Sequence, residues 1–478
     1  MNKLKKQFTI LKIIYFIATV LLIAGLFYNT ILPDWINNSL KVGFILLLII
    51  ELIINFKKIF LIILSILMIL TSGLLFYSQY SIDKLLNHVP TETSIITFVV
   101  LKDSPINTLV DMKAKKVGMP IQLDDLIATY LKEYMVDNVS PSSLNIATDD
   151  LSNLDDLYSK KIDIMILDNS MRDSLIEQDA NFESKTKTIL TIEKSFIKEE
   201  TAKNVDTSIK SFIILISGVD TRGTGPIRAK ARSDVNILMV INPATHKVLT
   251  ISIPRDTYTE LGCQTGALDK LTHSGVYGIS CTIKTIENLF KIDINYYVKV
   301  SFNSFLNIVN VLGKIDVYSK YAFSAATDTK PPVPFKVKVG MNTFNANQAL
   351  TFSRERYAFV NGDVQRGLNQ QEVIKSIIKK IVDPSTLLKI GDLISVASKS
   401  IDTNLTNENV MNLVHNQISK NVPWEFNSGA LTGMGAYRPT YSMGSLPLYV
   451  MLPDLKLLAQ LKNQITLSLN EKPGVLTQ

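Results

Sequence analysis

The 478-residue chain sets 50 Lys and Arg against 43 Asp and Glu, a formal net charge of +7, and 46% of its residues are hydrophobic. Its mean hydropathy of +0.19 is high for a wholly soluble protein, and its length leaves room for two or three domains. Beyond residue 77 the basic residues form no dense run and do not interleave with aromatics, which argues against a nucleic-acid partner; four scattered histidines without an HExxH or Cys-His pattern argue against a zinc centre.

The hydrophobic excess lies at the front. Leu11 to Tyr28, Gly43 to Phe56 and Ile59 to Tyr77 are apolar runs near the length that crosses a bilayer core of roughly 30 Å. The middle run is short and carries Glu51, so it spans only if Trp35 to Leu40 extends it or if the glutamate faces a neighbouring helix. Lys3, Lys5 and Lys6 precede the first run and Lys57 and Lys58 separate the second from the third, whereas Asn29 to Leu40 has no basic residue. By the positive-inside rule the N-terminus is cytoplasmic, and three crossings put the rest of the chain outside. Both cysteines, Cys263 and Cys281, then fall where disulfides persist, and a bridge between them is expected in preference to free thiols.

After a short juxtamembrane stretch, apolar runs (IITFVVL, VGMP, LNIAT, IDIMILD) alternate with helical patterns (INTLVDMKAKK, DDLIATYLKEYM, DDLSNLDDLYSKK). This alternation predicts βαβ units on a small parallel sheet. INTLVDMKAKKVGM with LYSKKIDIMILDNS loosely resembles one lobe of the extracellular solute-binding proteins. The run TILTIEKSF suits a last strand.

From Phe212 to Asp256 three β-rich runs (Phe212 to Ile216, Val235 to Ile241, Val248 to Ile253) each stop beside charge, leaving Asp220, Arg222, Arg232, Asp234, Arg255 and Asp256 at strand ends. Carboxylates hold hard divalent cations and arginines offer forked donors to phosphate, so gathered together these residues describe a metal-assisted diphosphate site. Phe302, Phe305, Leu306 and Val309 share one face of a helix that ends at Gly313; the stripe suits a core or the lining of an apolar ligand tunnel. Ser319 to Phe335, rich in proline, reads as a surface loop. In LTFSRERYA, two-residue alternation puts Arg354 and Arg356 on one face of a strand, an arrangement that asks for an anion between them. Helical spacing then aligns Asp363, Arg366 and Gln370 after a turn.

The ordered set GVDTR, RSD, SIPRD, DKL, SRER and GDVQRGLNQQ, over about Ser208 to Val382, resembles the LytR-CpsA-Psr (LCP) family. The three apolar runs, the extra domain and the tail YSMGSLPLYVMLPD (Tyr441 to Asp454) are similar to its capsule-associated streptococcal members. The resemblance implies a phosphotransferase that moves capsular or other wall polysaccharide from a polyprenyl diphosphate carrier to peptidoglycan. Capsule assembly proteins become candidate partners, and a non-catalytic regulator or a polyprenyl diphosphate phosphatase are the alternatives. By motif position, Asp220 and Asp234 would bind Mg²⁺ or Mn²⁺. Arg232, Arg255, Arg354, Arg356 and Arg366 would hold phosphate oxygens, with Gln370, Lys270 and Asp363 lining the site. Asp234 and Asp363 are the candidate general bases, and Asp363 is preferred because a carboxylate engaged by metal is a poor base. Asn369 stands where many members carry a further arginine. The expected architecture is α/β throughout: transmembrane helices in residues 1–80, a small extracellular α/β accessory domain in 81–204, an LCP domain with a mixed central sheet flanked by helices in 205–385, and a C-terminal part, 386–478, packing on or extending it.

Overall fold

The computed structural model describes residues 2–29, 34–54, 56–86, 91–120, 125–197, 201–219, 230–383, 386, 390–420 and 422–472. Three long helices come first: α1 (Asn2–Tyr28), α2 (Asp34–Ile54) and α3 (Lys58–Leu86). Each contains a stretch of 19 to 21 residues long and apolar enough to cross a membrane. Both conditions set by the middle run are met. Residues from Asp34 onward lengthen it, and Glu51 turns inward, its Oε1 3.2 Å from Lys12 Nζ on α1. A seam of Tyr15, Leu22, Leu26, Leu61 and Met68 joins α1 to α3.

The next unit consists of β1 (Thr91–Leu101), β2 (Lys116–Pro120), α4 (Asp125–Asn138), β3 (Ser143–Ala147), α5 (Asp150–Tyr158), β4 (Ile164–Asp168), α6 (Arg172–Gln178), α7 (Phe182–Lys185) and β5 (Thr186–Ile197). Its sheet has the order β3-β2-β4-β1-β5. Only β3, β2 and β4 are parallel; β1 runs antiparallel to both β4 and β5, so the sheet is mixed rather than parallel. The cause is local: of the expected helix INTLVDMKAKK only a single 3₁₀ turn forms, Val110–Met112, so no crossover helix returns the chain parallel to β1.

The larger unit is built on six strands, β6 (Phe212–Val219), β7 (Ser233–Asn242), β8 (Lys247–Ser252), β11 (Tyr296–Ser301), β16 (Ile401–Thr403) and β17 (Glu425–Ala430), in the order β16-β11-β6-β7-β8-β17. Between them run β9 (Tyr258–Glu260), β10 (Leu268–Lys270), α8 (Leu271–Ser274), α9 (Ile279–Phe290), α10 (Phe302–Leu312), β12 (Ile315–Ser319), β13 (Phe323–Ala326), β14 (Pro334–Val337), β15 (Gly340–Phe344), α11 (Ala346–Arg354), α12 (Gly362–Ile381), α13 (Ile390–Ser400) and α14 (Asn407–Lys420). The chain closes with β18 (Gly433–Thr440), β19 (Gly444–Pro453) and α15 (Leu455–Asn470).

Every second residue of the central strands faces one of two cores. On one face α9 and α15 cover Ile213, Leu215, Leu238, Val240 and Ile251. On the other, Ile374 and Ile378 of α12 and Leu413 of α14 cover Phe212, Ile214, Met239 and Ile241. The result is a helix-sheet-helix sandwich whose sheet is mixed, with β6 parallel to β11 and β8 parallel to β17 but antiparallel at β7. Residues after 400 supply both edge strands and a covering helix on each face, α14 and α15.

Two expectations are corrected here. Ser319 to Phe335 is not a bare loop, since Phe323–Ala326 pairs with Pro334–Val337 as a hairpin. LTFSRERYA is not a strand: its first five residues end helix α11, which opens on a reciprocal cap between Asn345 and Gln348 and buries Ala346, Ala349, Leu350, Phe352 and Ser353. Burial at three- and four-residue intervals, not two, decides the element.

Candidate active site

Register places the charged residues. Val219, which ends β6, lies opposite Ser233 at the start of β7; Ser252, which ends β8, pairs with Ile237; and Ser301, which ends β11, pairs with Val219. One edge of the sheet therefore collects the loops after β6, β8 and β11 and the loop before β7. Asp220 and Arg222 fall outside the described residues, so their positions enter no part of the geometry.

The best-defined contact there joins Arg255 to Asp234, with Nη1 3.1 Å from Oδ1. The same oxygen accepts from the Thr272 hydroxyl at 3.0 Å. Thr272 is brought there by its own backbone, whose N–H donates to the Arg255 carbonyl at 2.8 Å. Lys270 lies alongside with Nζ 2.9 Å from Asp256 Oδ1. Arg255 Nε is buried yet makes no hydrogen bond among the described residues; the nearest carboxylate oxygen, Asp256 Oδ2, is 3.7 Å away. Burial opposes the charge of Arg255, but Asp234 and Asp256 more than offset it, and its pKa is raised.

Arg366 reaches the same place from helix α12. Gly367 allows this, because a Cβ there would sit 2.3 Å from the Ser252 hydroxyl: only a glycine lets the first turns of α12 lie against the end of β8. Arg366 Nη2 is 3.0 Å from Asp363 Oδ1, and Arg356 Nη1 is 4.0 Å from the same oxygen. Burial is the largest influence on Arg366 and lowers its pKa. Asp363 and Asp234 act against this, while Arg255 and Arg356 add to it. Arg366 is thus a largely buried cation between two carboxylates and two arginines, and its burial is not fully compensated.

Arg232, at the start of β7, sits in a loop pinned by the Ala231 N–H to the Gly275 carbonyl at 3.1 Å. Its Nη1 is 2.6 Å from Glu177 Oε1 on α6 of the preceding unit. Burial again opposes the charge; Glu177 and Asp234 outweigh it, and its pKa is raised.

The structure thus brings Arg232, Asp234, Arg255, Asp363 and Arg366 together, with Arg356 at the margin. Lys270 is adjacent through Asp256. Arg354 ends α11 and is not aligned with Arg356; it pairs with Asp328 and stacks on Phe302, its guanidinium 4.5 Å from the ring centre. Gln370 lies one turn beyond Arg366 on α12 and is half-buried. Asn369 is buried, accepts from Gln365 at 2.8 Å and donates to the Phe352 carbonyl at 3.4 Å, tying α12 to α11. Val309 is wholly buried against Phe344, Phe352 and Val373, and Phe305 packs on that cluster. Cys263 and Cys281 are bridged, their Cα atoms 5.0 Å apart, linking the loop after β9 to the first turn of α9.

Two contributors were not singled out in the sequence. Thr272 looks like an ordinary residue of LDKLTHSG. Glu177 belongs to another unit. Among the described residues no three or more His, Cys, Asp and Glu side chains gather as a metal centre. A hydrated divalent ion needs only one or two protein carboxylates, and of the two expected ligands the structure describes Asp234 alone.

Fold and site together define an α/β domain with a desolvated arginine-carboxylate cluster at one sheet edge, carried behind three apolar helices. The chain belongs to the LytR_cpsA_psr family, whose profile matches residues 178–439. It is 36% identical over 210 residues to the polyisoprenyl-teichoic acid–peptidoglycan teichoic acid transferase TagU of Bacillus licheniformis, covering 44% of this chain and 64% of the relative. With TagU of Bacillus subtilis it shares 36% over 203 residues, 42% of this chain and 62% of the relative. The chain therefore spans just under two thirds of these relatives. The crystal structure of B. subtilis TagV superposes with a TM-score of 0.46 at 28% identity, over 55% of this chain and 99% of that one.

Proposed function

We propose that the protein is a cell-wall glycopolymer ligase: it transfers a capsular or other wall polysaccharide, as its phosphate, from a polyprenyl diphosphate carrier to a peptidoglycan hydroxyl, breaking the diphosphate P–O bond and releasing polyprenyl phosphate. Soluble domains outside the membrane and an N-terminus inside it are part of the proposal. The observation that carries it is the buried Arg255 Nε, without a hydrogen bond among the described residues, beside Arg366, whose burial is incompletely compensated. A buried donor without an acceptor costs about 1–3 kcal/mol, and a phosphate oxygen would relieve both residues at once. The names of the TagU relatives, which join a polyisoprenyl-linked polymer to peptidoglycan, fit this chemistry.

Phosphoryl transfer needs alignment and charge neutralisation more than covalent help. Arg255 and Arg366 would take diphosphate oxygens from opposite sides, one from the end of β8 and one from the start of α12, and Arg232 would add a third guanidinium from β7. Asp234 orients Arg255 through its Oδ1. Asp234 and Asp220 would hold Mg²⁺ or Mn²⁺, which supplies further neutralisation of the diphosphate. Asp363, whose side chain is 47% exposed, would take the proton of the incoming hydroxyl.

The test follows the glycan phosphate. The full chain in lipid nanodiscs is given a polyprenyl diphosphate-linked oligosaccharide and peptidoglycan fragments. Label appearing in peptidoglycan, and not appearing with Arg255→Ala, is the expected result. Label released only to water would make the protein a phosphatase, and no turnover with capsule amount unaffected by Arg255→Ala would leave it a regulator.

A further inference from the structure

Among the described residues, the Arg232–Glu177 contact is where the smaller sheet unit reaches into the cluster. Its two partners are unequal: the Arg232 side chain is 17% exposed and that of Glu177 is 56% exposed. Arg232 cannot withdraw, because its loop is fixed to Gly275, where a Cβ would come within 2.3 Å of the Ala231 carbonyl oxygen. Glu177 is carried differently. Its helix α6 is rooted by the buried Ser174 and Leu175, in a core that Val276 and Met443 of the larger unit enter from outside. That core is the seam between the two units, so a slide along it would move Glu177 and leave Arg232 in place.

An exposed carboxylate on a buried arginine is an easily displaced partner. Releasing Glu177 to water exposes a side chain that is already more than half solvated, and half-exposed ion pairs contribute up to about 1 kcal/mol. A phosphate offers the same guanidinium more charge and a two-pronged acceptor. We propose that Glu177 is a placeholder for diphosphate, a carboxylate supplied by the smaller unit that occupies Arg232 in the resting protein and must leave before a diphosphate can use that arginine. The smaller unit thereby sets the affinity of the site without taking part in the chemistry. This rests on the anion-site reading above and adds its regulation.

Calorimetric titration of the full chain in nanodiscs with inorganic pyrophosphate, and in parallel with geranyl diphosphate, tests it. Glu177→Gln, which keeps shape and removes charge, is expected to bind both about fivefold more tightly than the unaltered chain, the equivalent of losing a competitor worth about 1 kcal/mol. Glu177→Ala is expected to shift affinity the same way, and Arg232→Ala is expected to abolish the difference. Unchanged affinity in both Glu177 variants, or weaker binding, overturns the proposal; weaker binding would make Glu177 a support for Arg232. Arg255→Ala separates the two ideas. If the unaltered chain binds pyrophosphate and Arg255→Ala does not, the anion site stands and the Glu177 variants judge the placeholder alone. If neither the unaltered chain nor Glu177→Gln binds, both fall.

Discussion

Arg366 and Asp363, one turn apart at the start of α12, form an ion pair of 3.0 Å, and that pairing holds the guanidinium that would meet the diphosphate beside the carboxylate that would face the incoming hydroxyl. On the proposed reading, bound diphosphate would recruit Arg366 and Arg356 and free Asp363 for the acceptor. Asp363→Asn is therefore expected to lower transfer by about 10²-fold or more while pyrophosphate affinity is kept or increased, since a negative charge has gone. Transfer assays paired with calorimetry check this, and full transfer activity in the variant would remove Asp363 from the mechanism.

Arg255 should be the most sensitive of the arginines. Replacing it with lysine retains the charge but gives up the fork that reaches Asp234 on one side and a ligand on the other. Both Arg255→Lys and Arg255→Ala are expected to cut transfer by about 10² or more, comparable with the loss of one preorganised donor to a transition-state oxyanion, with unfolding temperature little changed. Equal activity of the lysine variant and the unaltered chain would show that only charge matters there.

Asp150 makes stability depend on pH. It is buried at the start of α5, and burial, reinforced by Asp168 and Asp149, pushes its pKa up from 3.8 to about 8. A carboxyl whose pKa is raised on folding favours the folded state at pH below its unfolded value near 4. That support is lost progressively as pH rises toward about 8. The smaller unit should accordingly unfold at a lower temperature at pH 8 than at pH 5, and Asp150→Asn should raise the pH 8 value by several degrees and flatten the dependence. Thermal unfolding across that range decides it; a parallel pH profile in the variant would assign the dependence elsewhere.

Gly367 tests how the site is assembled. Gly367→Ala would drive a methyl into the Ser252 hydroxyl, whose Oγ is 2.3 Å from the new carbon. Overpacking of this kind costs about 1–3 kcal/mol. It should also lift Arg366 away from Arg255, so both unfolding temperature and transfer should drop. Ser252→Ala in the same chain removes the closest atom and is expected to restore part of each; no recovery would mean that α12 is positioned by other contacts.

The comparison of sequence with structure divides along sheet and helix. The edge bearing Arg232, Asp234 and Arg255 was legible because buried strands make unbroken apolar runs, and the first charge after a run marks its end. Arg354 and Arg356 were misplaced because SRER alternates like a strand; Asn345 and Gln348, three apart, carried the opposing helix signal. In the smaller unit, Val110–Met112 lacked enough helical structure to form a crossover, and the sheet is mixed as a result. Glu177 could not have been found by pattern: an acidic residue on a short amphipathic helix reads as solvated, and only the packing of two units gives it a partner. The disulfide was expected from compartment alone, whereas the three spans were expected from length and lack of charge.

The third apolar helix has one more consequence. α3 continues unbroken past Tyr77 to Leu86 and touches α13, which in turn packs on α10. A stiff post that braces the body it carries transmits angle as well as height. At 3.6 residues per turn, one residue inserted near Ser81 would swing the upper end of the post by about 100° and part it from α13. On the proposed reading, the spacing between bilayer and diphosphate would be set in helical turns, not along a slack tether.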